Sequence, residues 1–364
     1  MIIARLTLET LALVKIVPLI LSGGVGSRLW PVSTNTRPKQ FHALAGMRSM
    51  FADTLDRVRP SLEVAFSAPM IVSGARHKDV IEAELELSGV LNATLVLEPV
   101  ARNTAAALAA ACLVQMETDP EALLLVLPAD HVITKPEALR AACAASSQIA
   151  SDGRIVTFGI LPTSPEAGYG YIQQGTALSD GIYEVAAFRE KPDAQTAMEY
   201  ISSGLYCWNA GIFLFRASAL LNELALHAPD ILHQTKLAVE RATRSANTVL
   251  LDEEAFRQVP SNSIDYAVME ATRNSAVVPV DMGWNDVGSF ATLWEIAQKD
   301  EYQNALTGPT RAFHATGCLV RSDSIPIAVI GVSDIMVIAT EQGILVVPRN
   351  RAQDVKLAAL AFKK

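Results

Sequence analysis

One loop near the start of the chain has the composition of a phosphate-binding site. Residues 19–41, LILSGGVGSRLWPVSTNTRPKQF, begin as an apolar strand and continue into a turn that contains Gly23, Gly24 and Gly26, whose lack of a side chain lets backbone N–H groups approach a ligand closely. The same loop carries three basic side chains, those of Arg28, Arg37 and Lys39. The spacing matches neither the dinucleotide pattern G-x-G-x-x-G nor the P-loop pattern G-x-x-x-x-G-K-[ST]. These features favour a chain of phosphates as the ligand, with a plain structural turn as the alternative for the loop taken alone.

Two aspartates stand where they could bind a divalent cation. Asp130 follows the apolar run LLLVLP, and Asp286 lies in the glycine-flanked turn GWNDVGS. Mg²⁺ prefers carboxylate oxygens, phosphate oxygens and water as ligands. On spacing alone, turn formation explains an aspartate in either position equally well. His131, next to Asp130, is expected to be a structural hydrogen-bonding residue, because hard Mg²⁺ prefers oxygen ligands.

The elements that must position these residues predict an α/β domain. The runs IVPLILS, APMIVSG, ATLVLEP and LLLVLPAD are continuously apolar, as expected for strands buried on both faces, and they alternate with alanine- and leucine-rich helical stretches. A helix is predicted at about 104–118, with Asn103 or Thr104 as its N-cap. Ligands of such sheets bind beyond the C-terminal ends of the strands, where Glu98 and Asp130 stand. We therefore expect the site at this edge of the sheet.

Length and composition indicate a folded, soluble protein of two domains, or of one large domain with an appendage. The chain has 364 residues, of which 50% are hydrophobic. Its net charge of -8, from 30 basic and 38 acidic residues, argues against a nucleic-acid polymer or an anionic membrane as a partner. The four cysteines are far apart and lack C-x-x-C spacing, which is typical of buried free thiols in a reducing cytoplasm.

Both ends of the chain differ in texture from the middle. The start of the sequence is apolar, but Arg5, Glu9 and Lys15 interrupt every candidate membrane span or signal segment, so we expect no export signal and a cytoplasmic location. Residues 1–15 are interpreted as an extra segment before a first strand at about 16–21. After about residue 300, short β-rich pieces without long helices predict a small all-β region.

A series of motifs resembles the sugar-1-phosphate nucleotidyltransferases. The opening loop resembles the signature of that family, and its RLWP and PKQF are similar to the mannose-1-phosphate guanylyltransferase branch. Further matching segments follow in family order: EPVARNTAAAL, LPADH, GYGYI, FREKPD, WNAGIFLF, SIDYAVME, GWNDVGS and RAQDVK. The resemblance covers about residues 16–356, and so many ordered matches are far more specific than any one of them.

The resemblance implies the fold and the domain organisation. A Rossmann-like (GT-A-like) nucleotidyltransferase domain with a mixed, mainly parallel sheet is expected over residues 1–297, and a small β-helix-like region over residues 298–364. In the family the second region contributes to dimer contacts, so a homodimer is expected. Bifunctional relatives continue into an isomerase domain after the shared region, and isomerase activity is not expected of this chain.

The resemblance also implies a reaction. The phosphate of mannose 1-phosphate would attack the α-phosphorus of GTP in line, giving GDP-mannose and expelling pyrophosphate, with Mg²⁺ held by Asp130 and Asp286. Such phosphoryl chemistry depends mostly on positioning and on charge neutralisation. Arg28 and Lys39 are the expected catalytic residues, which steady the triphosphate and the charge on the leaving pyrophosphate.

The remaining site residues divide into a nucleotide set and a sugar-phosphate set. The expected nucleotide-binding residues are Gly23, Gly24, Gly26, Ser27, Glu98, Arg102 and Asn103. The expected sugar-phosphate-binding residues are Gly170, Glu190, Lys191 and Asn209. Glu98 could accept hydrogen bonds from the guanine N1 and amino group, and Lys191 resembles the family lysine that binds the sugar phosphate. Adjacent side chains on a strand point opposite ways, so Glu190 and Lys191 both reach a ligand only if the chain bends there.

Two other interpretations stay open at this point. The chain could pair a different hexose 1-phosphate or a different base, because Thr34, His42, Ala101 and Ala106 depart from the family pattern in loops near the base. It could also bind the sugar nucleotide as a regulatory subunit without turnover, although the charged site residues that such a subunit would be expected to lose are present. The segment SIDYAVME is expected to be a structural helix with Ser263 as a possible N-cap.

Overall fold

The computed structural model describes residues 15–24, 26–61 and 64–362, so most of the predicted extra N-terminal segment lies outside the described residues. The strands of the described part are β1 (Lys15–Ser22), β2 (Ala65–Phe66), β3 (Met70–Gly74), β4 (Thr94–Glu98), β5 (Leu123–Pro128), β6 (Val132–Ile133), β7 (Ile155–Ile160), β8 (Tyr171–Ser179), β9 (Ile182–Arg189), β10 (Tyr206–Arg216), β11 (Thr243–Ser245), β12 (Thr248–Leu250), β13 (Ser275–Pro279), β14 (Trp284–Asn285), β15 (Ala305–Thr307), β16 (Thr310–Phe313), β17 (Leu319–Ser322), β18 (Ile327–Ile330), β19 (Ile335–Thr340) and β20 (Gly343–Pro348). The α-helices are α1 (Met50–Arg57), α2 (Lys78–Leu87), α3 (Asn103–Thr118), α4 (Pro136–Ser151), α5 (Ala194–Ser203), α6 (Ala217–His227), α7 (Pro229–Glu240), α8 (Glu253–Arg257), α9 (Phe290–Ile296) and α10 (Val355–Ala361). Short 3₁₀ turns span Ser27–Leu29, Lys39–Phe41, Ala75–His77 and Arg349–Asp354, and a π-helical segment spans Asp265–Met269.

A 12-stranded sheet forms the centre of the molecule. Its strand order is β11-β12-β4-β3-β1-β5-β10-β7-β13-β9-β8, with β2 added beside β1 and with β8 also paired to β10. The strands β1, β3, β4, β5 and β12 are parallel, whereas β9, β10 and β11 run against the rest. The predicted mixed, mainly parallel sheet is therefore confirmed. Because β1, β4 and β5 run the same way, their C-terminal ends meet at one edge, as predicted.

Helices cover both faces of the sheet, which explains the continuous apolar runs. Residues 123–126 of β5 are fully buried, and so are residues 108–112 of α3. The helix α3 packs against α6 and α7 on one face, and α4 packs against β5, β7 and β10 on the other. A helix that is buried all round needs small side chains to lie close to the sheet, and this is the reason for the alanine-rich sequence of α3.

The C-terminal region contains two short stacks of strands, as the sequence predicts, but it is not all-β, because the 3₁₀ turn Arg349–Asp354 and α10 follow the last strand. The strands β15, β17 and β19 are parallel with β20 added antiparallel, and β16 pairs with β18 in parallel. This region shares a core with the opening loop, because Leu29 packs into the same cluster as Met336 and Val355. The Trp30 ring also stacks on Phe362, with ring centroids 5.2 Å apart. The predicted domain boundary after residue 297 falls between α9 and β15 and stays a prediction.

Several smaller predictions are confirmed. The first strand spans Lys15–Ser22, close to the expected 16–21. The four cysteines are buried free thiols. Among the helices of the described residues, none is long and apolar enough to cross a membrane. The prediction for the apolar start of the sequence falls mostly outside these residues and stays a prediction.

The predicted N-cap of α3 is wrong. Arg102 occupies the N-cap position, and no side chain caps the helix there. The side chain of Asn103 accepts from the adjacent Thr104 N–H at 2.8 Å, and the Thr104 hydroxyl accepts from the Ile264 N–H at 2.9 Å. The Thr104 side chain therefore joins α3 to the SIDYAVME segment. Capping preferences concern neighbouring residues and do not predict this long-range contact. In that segment the predicted helix is π-helical over Asp265–Met269.

Candidate active site

A cavity of about 220 Å³ opens at the C-terminal edge of the sheet. It is lined by residues from the ends of β1 and β5, the start of α3, the middle of β10 and the loops before β8 and around β14. Four predicted site residues line it together, namely Gly170, Glu190, Asn209 and Asp286. The structure thus brings three of the four predicted sugar-phosphate residues and one predicted metal ligand into one space, whereas Lys191 and Asp130 do not line it.

Gly170 lies against Glu190 and Asn209 at the cavity wall. Its carbonyl accepts from the Asn209 N–H at 2.8 Å. A Cβ atom at residue 170 would stand 2.6 Å from Glu190 Oε2 and 3.1 Å from Asn209 Cβ. A side chain here would therefore displace the Glu190 carboxylate, which explains the glycine in GYGYI.

Glu190 and Lys191 face the same side because the chain bends between them. Lys191 has a φ of 47°, in the left-handed region, which breaks the strand alternation after β9. The Lys191 Nζ donates to Glu190 Oε1 at 2.6 Å. Partial burial acts to lower the pKa of Lys191, but the hydrogen bond and the charge of Glu190 outweigh it and hold that pKa above its usual value. The predicted bend is present, and it places a paired cation and carboxylate side by side.

Asn209 uses both ends of its amide within the protein. Its Oδ1 accepts from the Gly211 N–H at 3.0 Å and from the Thr157 hydroxyl at 3.3 Å, and its Nδ2 donates to Asp265 Oδ1 at 3.0 Å. Asp265 also lines the cavity. Sequence reasoning missed it, because SIDYAVME has the pattern of an amphipathic helix. Burial and the charge of Glu190 raise the pKa of Asp265 to about 6.

Lys39 bridges the two predicted metal ligands. Its Nζ lies 3.1 Å from Asp130 Oδ2 and donates to the backbone carbonyls of Asp286 at 2.9 Å and Val287 at 3.3 Å. Lys39 is only 9% exposed. It is therefore a buried counter-ion to Asp130. Burial acts to raise the pKa of Asp130, but Lys39 and then His131 outweigh it, so the pKa of Asp130 lies below its usual value.

Hydrogen bonds from aromatic residues position the groups beside this bridge. The Tyr169 hydroxyl donates to Asp286 Oδ1 at 2.8 Å, and the Gly288 N–H donates to the same oxygen at 3.2 Å. The Trp284 indole N–H donates to His131 Nδ1 at 3.1 Å. Burial lowers the pKa of His131 to about 4, so the ring is neutral at pH 7. Tyr169 and Trp284 line the cavity and were also missed, although both stand in quoted motifs.

The donor set at Asp130 and Asp286 fits a hard divalent cation. Both side chains offer carboxylate oxygens, and Lys39 ties the two segments together. Within the described ranges, no group of three or more His, Cys, Asp or Glu residues could hold a metal ion. Phosphate oxygens and water would therefore have to complete the coordination, as is usual for Mg²⁺.

The glycine loop lies beside the cavity and outside its walls. The Ala129 N–H donates to the Leu21 carbonyl at 2.9 Å, which places the loop after β1 next to Asp130. Gly23 and Gly24 are exposed, and so are Ser27 and Arg28. Arg28 donates to Gln353 Oε1 at 3.2 Å, on the RAQDVK segment. The Gln40 amide, fully buried, donates to Ser22 Oγ at 3.3 Å and to the Gly23 carbonyl at 3.5 Å. These bonds fix the base of the loop, while its glycines lie at the surface.

Gly26 shows why the loop needs glycine at that position. Its φ is 65°, and a Cβ atom there would stand 3.0 Å from the Lys39 side chain. The loop therefore requires both a left-handed backbone and close approach to the buried lysine. A larger residue would push Lys39 away from Asp130.

The residues predicted to bind the guanine base have different surroundings in the structure, and none of them lines the cavity. Glu98 ends β4 with a buried Oε1 that has no hydrogen-bond partner among the described residues, and burial raises the pKa of Glu98 to about 7. Arg102 instead donates to the carbonyls of Phe256 at 3.4 Å and Arg257 at 2.5 Å. The structure thus does not bring Arg102 into the cavity and uses its guanidinium to hold the end of α8. The Asn103 side chain is bound to its own helix start, outside the cavity walls.

Comparisons with known proteins identify relatives that match most of the chain. The family model described as Nucleotidyl transferase matches residues 17–303, and the one described as MannoseP isomerase/GMP-like beta-helix domain matches residues 312–358. The mannose-1-phosphate guanylyltransferase of Klebsiella pneumoniae is 42% identical over 352 residues, which cover 96% of this chain and 74% of that protein. The alginate biosynthesis protein AlgA of Pseudomonas aeruginosa is 41% identical over 342 residues, which cover 93% of this chain and 70% of that protein.

A solved structure resembles the whole fold. The crystal structure described as mannose-1-phosphate geranyltransferase from Thermus thermophilus has a TM-score of 0.84 at 32% identity and covers 96% of this chain and 99% of that chain. The similarity therefore includes both the sheet domain and the β-helix-like region, which confirms the predicted fold class. The chain belongs to the nucleotidyl transferase family and, within it, to the mannose-1-phosphate guanylyltransferases.

Proposed function

We propose that this chain transfers GMP from GTP to α-D-mannose 1-phosphate and so forms GDP-mannose and pyrophosphate. The names of its relatives support this reaction. The observation that carries it is the cavity in which Asp286 lies together with Gly170, Glu190 and Asn209. A site for in-line phosphoryl transfer must place a charge-neutralising centre next to a pocket that orients the attacking sugar phosphate. The arrangement supports this proposal, with Asp286 as a ligand for a cation and the other three residues as the sugar pocket.

On the sugar side, Lys191 and Glu190 would exchange partners when the substrate binds. The Lys191 side chain is 56% exposed, whereas that of Glu190 is 8% exposed. The mobile ammonium would turn to the phosphate, and the fixed carboxylate would accept from sugar hydroxyls. Gly170 would allow the sugar ring to lie close to the backbone. This orients the phosphate oxygen that forms the new bond to the α-phosphorus of GTP.

On the nucleotide side, the N–H groups of Gly23, Gly24 and Gly26 would bind phosphate oxygens, with Ser27 beside them. Arg28 would leave Gln353 to neutralise the pyrophosphate as the bond between the α-phosphorus and the bridging oxygen breaks. Lys39 acts through the protein: it holds Asp130 and the Asp286 segment in register. Glu98 would accept from the donor edge of guanine.

A bound Mg²⁺ would neutralise charge on the phosphates, held by Asp130 and Asp286 together with phosphate oxygens and water. The two aspartates have different hydrogen-bond and ion-pair partners in the free protein. Asp130 is paired with a lysine, whereas Asp286 accepts neutral hydrogen bonds from Tyr169 and Gly288. Asp286 therefore has the larger uncompensated charge and would be the stronger ligand.

The product and the assembly follow as further parts of the proposal. A supply of GDP-mannose to polysaccharide synthesis is supported by relatives named for alginate and xanthan biosynthesis. A homodimer through the β-helix-like region is supported by exposed apolar side chains on its strands, those of Ile330, Ile344 and Val346 at 60–66% exposure. Light scattering of the full chain tests the dimer.

Pyrophosphate release tests the reaction directly. The purified chain is assayed with Mg²⁺ while GTP, ATP, UTP and CTP are crossed against mannose 1-phosphate and glucose 1-phosphate. We expect GTP with mannose 1-phosphate to dominate. Asp286→Asn should abolish turnover and the response to Mg²⁺, whereas the surface control Asp281→Asn, which faces Lys135 at 70% exposure, should change neither. Dominance of another pair would replace the substrate assignment, and ligand binding without turnover would favour the regulatory alternative.

A further inference from the structure

A second acidic side chain, Asp265, shares the sugar-side cavity with Glu190. Asp265 lines the cavity, and its Oδ1 accepts from Asn209 Nδ2 at 3.0 Å. The negative charge of Glu190 disfavours ionisation of Asp265, and the positive charge of Lys191 favours it. The Lys191 ammonium is bonded to Glu190, whereas the hydrogen bond from Asn209 to Asp265 comes from a neutral amide.

We propose that Asp265 is a specificity-determining residue that accepts hydrogen bonds from ring hydroxyls of the sugar phosphate, in a pair with Asn209. This inference rests on the proposed transfer to a hexose 1-phosphate and adds to it the group that reads the sugar. The Asp265 carboxylate only accepts, and the second N–H of Asn209 Nδ2 can donate, so the pair can bind two adjacent hydroxyls with complementary roles. Such a pair discriminates sugars by which hydroxyls are present and where they point.

A purely structural role for Asp265 does not explain its charge. Asn209 Nδ2 needs only an acceptor, which a backbone carbonyl or a neutral side chain would supply without cost. The fold instead places a second carboxyl near Glu190 in a partly dry space, and burial followed by the Glu190 charge raises the pKa of Asp265 to about 6. An arrangement that costs stability and lies in a cavity is characteristic of binding sites.

The segment that carries Asp265 is held firmly. The Ile264 N–H donates to the Thr104 hydroxyl at 2.9 Å, and the Ala105 N–H donates to the Asn262 carbonyl at 3.2 Å. These bonds anchor the π-helical segment to the start of α3, beside the nucleotide side of the site. Single π-helical turns are frequent at functional sites. The acceptor is therefore preorganised before the sugar binds.

The test compares wild type with Asp265→Asn, which keeps the size of the side chain and an acceptor for Asn209. We expect the KM for mannose 1-phosphate to rise about 10- to 100-fold, since a hydrogen bond to a charged group is lost, while the KM for GTP stays unchanged. The monodeoxy analogues of mannose 1-phosphate locate the contact. The analogue that lacks the hydroxyl bound by Asp265 should be poor with wild type and should lose nothing further with the variant.

Asp281→Asn serves as the control, because it makes the same chemical change at a side chain that is 70% exposed and outside the cavity wall. Its KM and its melting temperature should match wild type, whereas Asp265→Asn should melt no lower than wild type, because the raised pKa of Asp265 makes its ionised form costly to the fold. An unchanged KM in Asp265→Asn overturns the inference, as does an equal loss for every deoxy analogue, which would indicate a structural role. A wild-type chain that neither binds nor turns over mannose 1-phosphate overturns the proposed function as well, so the two failures are distinct.

Discussion

Replacement of Glu98 by glutamine should raise the free energy of unfolding and lower the affinity for the nucleotide. Burial raises the pKa of the Glu98 carboxyl from its ordinary 4.5 to about 7, and its buried Oε1 has no hydrogen-bond partner in the described part of the chain. Because the folded pKa is the higher one, the fold disfavours the ionised form: this cost is absent below about pH 4.5 and complete above about pH 7. At about 1.4 kcal/mol per pH unit, the full cost is about 3 kcal/mol. Glu98→Gln should remove most of it, so its free energy of unfolding should exceed that of wild type by about 2 kcal/mol near pH 8, because the amide also lacks a partner.

The same substitution should weaken GTP binding. Guanine offers two donors, its N1–H and its amino group, and an ionised Glu98 accepts both. The Kd for GTP of wild type should therefore rise as the pH falls below about 7, and Glu98→Gln should show a Kd about 10- to 100-fold higher without this pH dependence. Calorimetric titrations with GTP and ATP at each pH separate the base from the triphosphate, which the two nucleotides share.

Chemical unfolding near pH 5.5 and pH 8 completes the assay, since the stability difference should be small at the lower pH and large at the higher one. A variant that binds GTP like wild type at both values, or that gains no stability near pH 8, would refute this account of Glu98. The trade is expected wherever a site keeps an unpaired polar group ready for its ligand.

Two further substitutions test the remaining geometry. Lys39→Met should lower the free energy of unfolding by about 3 kcal/mol and abolish turnover, because it leaves the Asp130 carboxylate without its partner. The control Lys135→Met removes an exposed ion pair worth at most about 1 kcal/mol. Equal losses of stability for the two variants in chemical unfolding would contradict the bridging role of Lys39. Gly170→Ala should raise the KM for mannose 1-phosphate about tenfold with little effect on the melting temperature, because its Cβ must displace the end of the Glu190 side chain rather than the backbone. Gly46→Ala, where the nearest atom is 3.7 Å away, should match wild type in steady-state kinetics.

The sequence predicts the sheet and its functional edge because those depend on local patterns. Continuous apolar runs identify β1, β4 and β5, and parallel strands necessarily bring their C-terminal ends to one edge. The place of Asp130 at the end of β5 follows from the same reasoning. The β-rich texture after residue 300 predicts the C-terminal strands for equally local reasons.

Side-chain partners could not be predicted in this way, because they join residues far apart in the chain. Lys39 reaches the carbonyl of Asp286 across 247 positions, and nothing in PKQF indicates that its lysine is buried. Arg102 has the charge of a phosphate ligand but is bound to the carbonyls of α8. Asp265 is preceded by a buried Ile264 and followed by an exposed Tyr266, so helical periodicity does not show that it faces a cavity. An acid in a motif otherwise explained by packing was the available signal.

The partners seen in the free protein also suggest how the site binds highly charged substrates without first burying bare charge. Asp130 is paired with Lys39, Glu190 with Lys191, and Asp286 with the hydroxyl of Tyr169. The two cations differ in how readily they can leave: the Lys39 side chain is 11% exposed and is held by two further carbonyls, whereas the Lys191 side chain is 56% exposed and is bonded to its neighbour Glu190. Substrate binding should therefore proceed by exchange at Lys191 while the Lys39 bridge stays intact, since an exposed pair contributes little and a buried one costs several kcal/mol to break. On this proposal the buried cation would keep the aspartates in place, and the exposed one would bind and orient the sugar phosphate.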